Sequence, residues 1–209
     1  MTRTALPVEV LWCGTRRKQS GEGWSFPAAV RSQIQADTAG KTVLHLFGGR
    51  ATFGTRLDID PIVCPDVIGD AWLPPFARES FDVVVMDPPY TRMNAEEKTA
   101  LFRAAGWIAR ETVILFSTIW SAGSGGLHPF KGYLVRVGDG CYVRCLQYFD
   151  VRDRPGPMRA FLRGPAIRYN GWLAGQQSLP FELDPDRERP ASSIVVLGPI
   201  DDAQCQHRR

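Results

Sequence analysis

The stretch Ser80-Phe81-Asp82-Val83-Val84-Val85-Met86-Asp87-Pro88-Pro89-Tyr90 decides the fold. Its valine-rich run suits a strand buried on both faces of a parallel sheet. Proline has no N–H for the ladder, so the strand must stop at Asp87. A carboxylate, a stiff carbonyl-presenting dipeptide and an aromatic ring therefore collect at the strand's carboxyl end, where open α/β sheets bind their ligands.

Working outward, Thr42 to Phe47 reads as an earlier strand ended by Gly48-Gly49. Arg56 to Ile59 and Asp66 to Ile68 read as two short strands before the decisive one. Pro27 to Thr38 suits a short helix with Val30 and Ile34 on one face. Asn94 can cap a helix through Ala109, with Glu96 and Glu97 in the first turn where negative charge favours the helix dipole. Glu111 to Thr118 reads as another buried strand. Tyr133 to Val137 and Cys141 to Phe149 read as a hairpin about Gly138-Asp139-Gly140. The expected fold class is α/β, a mostly parallel sheet with a C-terminal antiparallel hairpin. Ser121 to Gly126 is a Gly/Ser-rich loop. Beyond Val151 periodicity fades, and Ser193 to Gly198 is one candidate further strand. Residues 1–151 are expected to form the main domain with an N-terminal extension, and 152–209 an arm or small appendage.

Composition bounds the function classes. The 209 residues and 44% hydrophobic content fit one domain with a sizeable core. Nothing approaches the run of about 18 apolar residues that a transmembrane helix needs, so no membrane partner is expected. No secretory leader is expected at the start, and the five cysteines form no Cys-x-x-Cys pair. Reduced thiols, a cytoplasmic location and no structural metal follow as expectations. The net charge of +3 permits a polyanionic partner. Basic residues cluster in two places: Arg16, Arg17 and Lys18, and then Arg152, Arg154, Arg159, Arg163 and Arg168 among Phe161 and Tyr169. Basic groups interleaved with aromatics suit phosphate contact plus base stacking; a solvated surface is the plain alternative. His45, inside an apolar strand, reads as a satisfied core histidine.

Three features precede the Asp-Pro-Pro-Tyr strand in order. Phe47-Gly48-Gly49 lets backbone approach a ligand closely. Asp58, in Leu57-Asp58-Ile59-Asp60-Pro61, ends a strand where a carboxylate can accept both ribose hydroxyls. In Gly69-Asp70-Ala71-Trp72-Leu73-Pro74, Asp70 can accept from an adenine amino group, with Trp72 or Leu73 against the ring.

The ordered set LFGG, DIDP, GDAWLPF and SFDVVVMDPPY resembles the class I S-adenosylmethionine-dependent methyltransferases. Within them it is most similar to the amino-methyltransferases carrying an [Asp/Asn/Ser]-Pro-Pro-[Tyr/Phe/Trp] motif. The resemblance covers residues 42–120, more loosely to about 150. It implies a Rossmann-like sheet, S-adenosyl-L-methionine as cofactor, and methyl transfer to an exocyclic amine of a nucleic-acid base. DNA adenine N6 leads, with DNA favoured over RNA as partner. The competing readings are an RNA base amino-methyltransferase, and a non-catalytic nucleic-acid-binding module on a degenerate methyltransferase fold. By the same resemblance Phe47, Gly48 and Gly49 lie under the cofactor's methionine part, and Asp58 binds ribose with Asp60 as second choice. Asp70, Ala71 and Trp72 match the adenine position; Asp87, Pro88, Pro89 and Tyr90 match the catalytic motif. Nucleic-acid contact falls to Arg16, Arg17, Lys18, Arg152, Arg154 and Arg159.

Two departures stand out. Parallel neighbours usually need a dozen or more linking residues, yet only five separate Gly49 from Thr55, and the Asp60 to Asp66 link is equally short. Several flanking helices are therefore expected to be reduced. Little chain is also left for target recognition; residues 121–132 and 152–190 are the candidates.

Overall fold

Val43–Leu46 (β2) and the last four residues of Phe81–Met86 (β5) are buried on both faces, as the apolar runs require. They lie side by side and parallel at the middle of an eight-stranded sheet. The structure, a computed structural model, describes residues 6–13, 26–89, 93–137 and 142–152. Tyr90, Arg16, Arg17, Lys18, Arg154, Arg159 and the 193–198 candidate strand lie outside the described residues.

The remaining strands are β1 (Val8–Trp12), β3 (Thr55–Asp58), β4 (Val67–Ile68), β6 (Ala109–Ser117), β7 (His128–Val137) and β8 (Tyr142–Asp150). Their spatial order is β1-β7-β8-β6-β5-β2-β3-β4. Every neighbouring pair is parallel except those made by β8, which runs antiparallel to both β6 and β7. This is the mostly parallel, Rossmann-like sheet expected from the sequence. Two details differ from expectation. The hairpin does not simply extend the sheet, because β8 inserts between β6 and β7. A strand, β1, precedes the first helix and closes the far edge beside β7, where the sequence announces only an N-terminal extension.

Among the described residues, each face carries one helix. Side chains alternate across a strand, so Val83 and Val85 pack with Val30 and Ile34 of α1 (Ala28–Asp37), while Val84 and Met86 pack with Leu101, Phe102 and Ile108 of α2 (Ala95–Ile108). Each such aliphatic or aromatic side chain, once fully buried, contributes about 1.5–3 kcal/mol. Helix α2 starts where the sequence marks it. The Asn94 side chain accepts from the Glu97 N–H at 2.9 Å while the Glu97 carboxylate accepts from the Asn94 N–H at 2.9 Å, a closed capping box.

The expected loss of helices is found on the β2–β3–β4 flank. Residues 47–54 join β2 to β3 without a helix, and the β3–β4 link holds only a 3-10 turn, Pro61–Val63. Arg56 ties both links. Its guanidinium donates to the Cys64 carbonyl at 2.6 Å and reaches the Gly49 and Val63 carbonyls at 3.5 Å, while its backbone N–H and Nε bond Asp66. His45 packs edge-on against Phe53 of the first link, with ring centroids 4.6 Å apart. It is buried but not wholly satisfied: its Nε2 has no partner, which corrects the expectation of a fully bonded core histidine. Burial pushes its pKa down to about 4. Cys13 and Cys145 carry free thiols, whereas Cys64 is disulfide-bonded, a departure from the expected five reduced thiols. Among the described residues no helix is long and apolar enough to cross a membrane, and no cluster of three or more metal-ligating side chains occurs.

Candidate active site

The carboxyl ends of β4, β3, β2 and β5 bring Asp70, Asp58, the Phe47-Gly48-Gly49 turn and Asp87 to one edge of the sheet. The turn is tight. Phe47 and Gly49 have positive φ, +62° and +47°. A Cβ on Gly48 would lie 2.7 Å from the Arg56 Cβ, so only glycine allows β2 to leave this close to β3. The Gly48 N–H bonds the Leu57 carbonyl at 2.9 Å.

Asp58 organises the turn from the next strand. Its Oδ2 accepts from the Gly49 N–H at 2.9 Å and its Oδ1 from the Asp60 N–H at 3.0 Å. Each carboxylate oxygen keeps a second lone pair for a ligand hydroxyl. Asp60 faces the other way: its carboxylate caps the 3-10 turn through the Ile62 N–H at 2.9 Å. Of the two acids, Asp58 is the one joined to the glycine turn.

Asp70 uses one oxygen, Oδ1, to accept from the Trp72 N–H at 2.9 Å. Burial raises its pKa, an effect the Trp72 N–H partly offsets. Ala71 and Trp72 are buried. The Trp72 indole turns inward, donating to the Glu97 carbonyl at 3.0 Å and meeting the Phe47 ring edge-on at 5.1 Å. Trp72 therefore fixes the 69–73 turn from behind, and Leu73 is the exposed apolar group there.

Asp87 stands at the end of β5, adjacent to β2 on one side and β6 on the other. No hydrogen bond from another described residue reaches its carboxyl group. Enclosure by the protein pushes its pKa up to about 7, even with the positive charge of Arg144 acting to lower it. Pro88 is buried and Pro89 exposed. Arg144 has no signal in the sequence beyond being a lone cation in the alternating run of β8. Registration places it: Ser117 of β6 pairs Cys145, and Met86 of β5 pairs Leu115. Its guanidinium folds over the Phe116 ring, 5.1 Å from the centroid.

Of the basic residues assigned to nucleic acid, Arg152 alone lies among the described residues. Arg152 follows β8 at the opposite, amino-terminal edge of the sheet, with its guanidinium on the Asp150 carboxylate.

No protein-family profile matches the chain, and no curated protein does so. Solved structures of similar fold include the Burkholderia thailandensis 1,6-didemethyltoxoflavin-N1-methyltransferase, with 8% identity over 59% of this chain and 76% of that one and a TM-score of 0.48. The PH0226 protein of Pyrococcus horikoshii has 12% identity over 58% of this chain and 87% of that one, TM-score 0.46. A TehB-like SAM-dependent methyltransferase of Corynebacterium glutamicum has 13% identity over 57% and 85%, TM-score 0.44. At these identities the likeness is one of fold alone.

Proposed function

We propose that this chain transfers a methyl group from S-adenosyl-L-methionine to an exocyclic amino group of a nucleic-acid base, with adenine N6 in DNA as the first target. One observation carries the reading: Asp87 ends the central strand with an enclosed carboxyl that meets no hydrogen-bond donor among the described residues, one strand away from a turn that only glycine can make.

The residues around that turn fit the cofactor. Gly48 and Gly49 leave room for its amino-acid part, Asp58 has lone pairs for two ribose hydroxyls, and the second oxygen of Asp70 suits an adenine amino group. When bound, the cofactor supplies an electrophilic methyl group on a sulfonium sulfur.

The rest is work for this chain. An exocyclic amine is a poor nucleophile because its lone pair is delocalised into the ring. Asp87 and the Pro88 carbonyl accept its two hydrogens, favouring pyramidal nitrogen and freeing the lone pair. A carboxyl pKa near 7 also suits Asp87 to take the proton released as the N–C bond forms. The prolines hold both acceptors rigidly. Tyr90, outside the described residues, is assigned to stacking on the target base, which must leave any duplex to reach this edge.

The absent helices of the β2–β3–β4 flank favour one competing reading, a non-catalytic nucleic-acid-binding module. The test is a nucleoside mass analysis after incubating the protein with labelled S-adenosylmethionine and unmodified DNA or RNA. Label in N6-methyladenine or N4-methylcytosine from DNA supports the proposal, and label only in RNA moves the substrate to RNA. No label in either, with no cofactor binding, refutes it in favour of the module.

A further inference from the structure

The face of the sheet that α2 occupies is only partly covered. Helix α2 packs on β5 and β6, and the link from β6 to β7 crosses without a helix. Strand register carries that face onward to the far edge. One row runs from Leu115 through Gln147 and Gly132 to Val8. The next runs from Cys145 through Leu134 to Val10, and the last from Val143 through Arg136 to Trp12. Leu115 packs in the α2-side cluster, whereas the alternating residues Leu11, Tyr133, Val135 and Leu146 pack on the α1 side. The first row is partly closed. The Trp120 indole lies on Gly132, and the buried Gln147 amide accepts from the Ser121 N–H at 2.7 Å and donates to the Ser121 carbonyl at 2.8 Å. The rest is bare: Val10 is 71% exposed and Trp12 51%, and Val8, Leu134 and Val143 are exposed as well.

Single apolar side chains in water are ordinary, but a contiguous apolar face marks a surface made to be covered. Where the chain goes next says what covers it. After β8, Val151 is buried in the same α2-side cluster, and its N–H bonds the Glu111 carbonyl at 3.4 Å. The chain therefore leaves the sheet at the amino-terminal foot of this very face, with residues 153–209 still to follow. From there the far row and the step across to β1 lie about 26 Å away. About eight extended residues span that distance, so the segment reaches it from Phe161 onward. That segment is not uniformly polar: it carries Phe161, Leu162, Ile167 and Trp172, and later the run Ile194-Val195-Val196-Leu197. A tether this short holds its occupant at a millimolar effective concentration, well ahead of a second copy arriving from solution.

We propose that the segment 153–209 of the same chain docks on this face and covers Val10, Trp12, Leu134 and Val143 with its own apolar side chains. The face is the seat that the missing β6–β7 helix leaves open, and the C-terminal segment takes that helix's place. The proposal stands apart from the methyl-transfer reading, because none of these residues belongs to the candidate active site.

The test is photo-crosslinking of the full-length chain with benzoylphenylalanine in place of Val10. An equal mixture of unlabelled and nitrogen-15-labelled chains is irradiated, digested and read by mass spectrometry. Crosslinks should join the position-10 peptide to peptides from 153–209, always within chains of one label. The same probe in place of Glu9, which pairs with Tyr133 and so faces the α1 side, should yield about tenfold less of that product. Crosslinks between differently labelled chains would overturn the proposal in favour of a second copy. Crosslinks confined to residues before 153 would overturn it in favour of an open face. Thermal unfolding of Val10→Thr gives a second readout that needs no bulky probe. Threonine keeps the β-branched shape, so on an open face the midpoint should not move. Under the docked segment its hydroxyl loses water, and the midpoint should fall by at least about 2 °C. An unchanged midpoint would count against the docking as directly as the wrong crosslinks.

Discussion

Replacing Asp87 by asparagine should make the protein more stable at neutral and alkaline pH. A carboxyl whose pKa rises from 3.8 to about 7 on folding binds a proton more readily in the folded state than in the unfolded one. Between those values the folded state holds the extra proton, so stability falls as pH rises, by about 1.4 kcal/mol per unit. Over about three units the loss sums to about 4 kcal/mol above pH 7, an upper value because part of the carboxyl surface meets solvent. His45 works in the opposite sense. Its pKa falls from 6.5 to about 4, so the unfolded state holds the extra proton and stability rises with pH across that window. The two contributions nearly cancel between about pH 4 and 6.5, where the parent protein should show a flat profile from this pair. The amide of the Asp87→Asn variant cannot ionise, so there the His45 slope stands alone. Urea unfolding of both proteins from about pH 4 to 8.5 reads the difference directly, since all other titrating groups are shared. The variant's advantage should be near zero at about pH 4 and reach a few kcal/mol by about pH 8. A constant difference across that range, or a variant less stable than the parent at the alkaline end, would refute an enclosed, destabilised carboxyl at this position.

Asp87→Ala, lacking both acceptor oxygens, should lose methyl transfer while still binding S-adenosylmethionine. In the parent protein kcat/KM should climb through an apparent pKa near 7 as Asp87 ionises, which single-turnover assays across pH will check. Gly48→Ala forces a Cβ to 2.7 Å from that of Arg56, so it should cost about 1–3 kcal/mol in denaturant unfolding and weaken cofactor binding in calorimetry at least about tenfold. Asn94→Ala opens the capping box of α2 and should cost about 1 kcal/mol in unfolding experiments without changing cofactor affinity.

Much of this architecture is legible in the sequence because its signals are local. Apolar runs with abrupt ends mark β2, β5 and β6, Asn94 announces α2, and counting residues between Gly49 and Thr55 foretells a missing helix. What escapes depends on distant chain. The Val8, Val10 and Trp12 alternation of β1 leaves its apolar side exposed, so the burial pattern that identifies a strand is absent. The Gly138-Asp139-Gly140 turn reveals that β7 and β8 pair, but not that β8 slots between β7 and β6. Arg144 comes beside the end of β6 only through that insertion. Trp72 lies at the expected position, yet its hydrogen bond to the Glu97 carbonyl turns the ring away from the slot, and no local pattern encodes that. Arg56 carries no sequence signal, because its work is done on the backbone carbonyls of two loops.

The place of β1 has a consequence for how the chain assembles. Val8 pairs with Gly132, more than a hundred residues downstream, so this edge strand can dock only after β7 and β8 exist. Contacts of such sequence separation form late, once the entropy of closing the long intervening segment has been met. During synthesis the segment with the exposed tryptophan emerges long before β7 and must wait for it. Hydrogen exchange should accordingly find β1 the first strand to open and the central β2–β5–β6 ladder the last. Cutting the chain before Phe26 would spare the candidate site yet leave a bare, associating sheet edge.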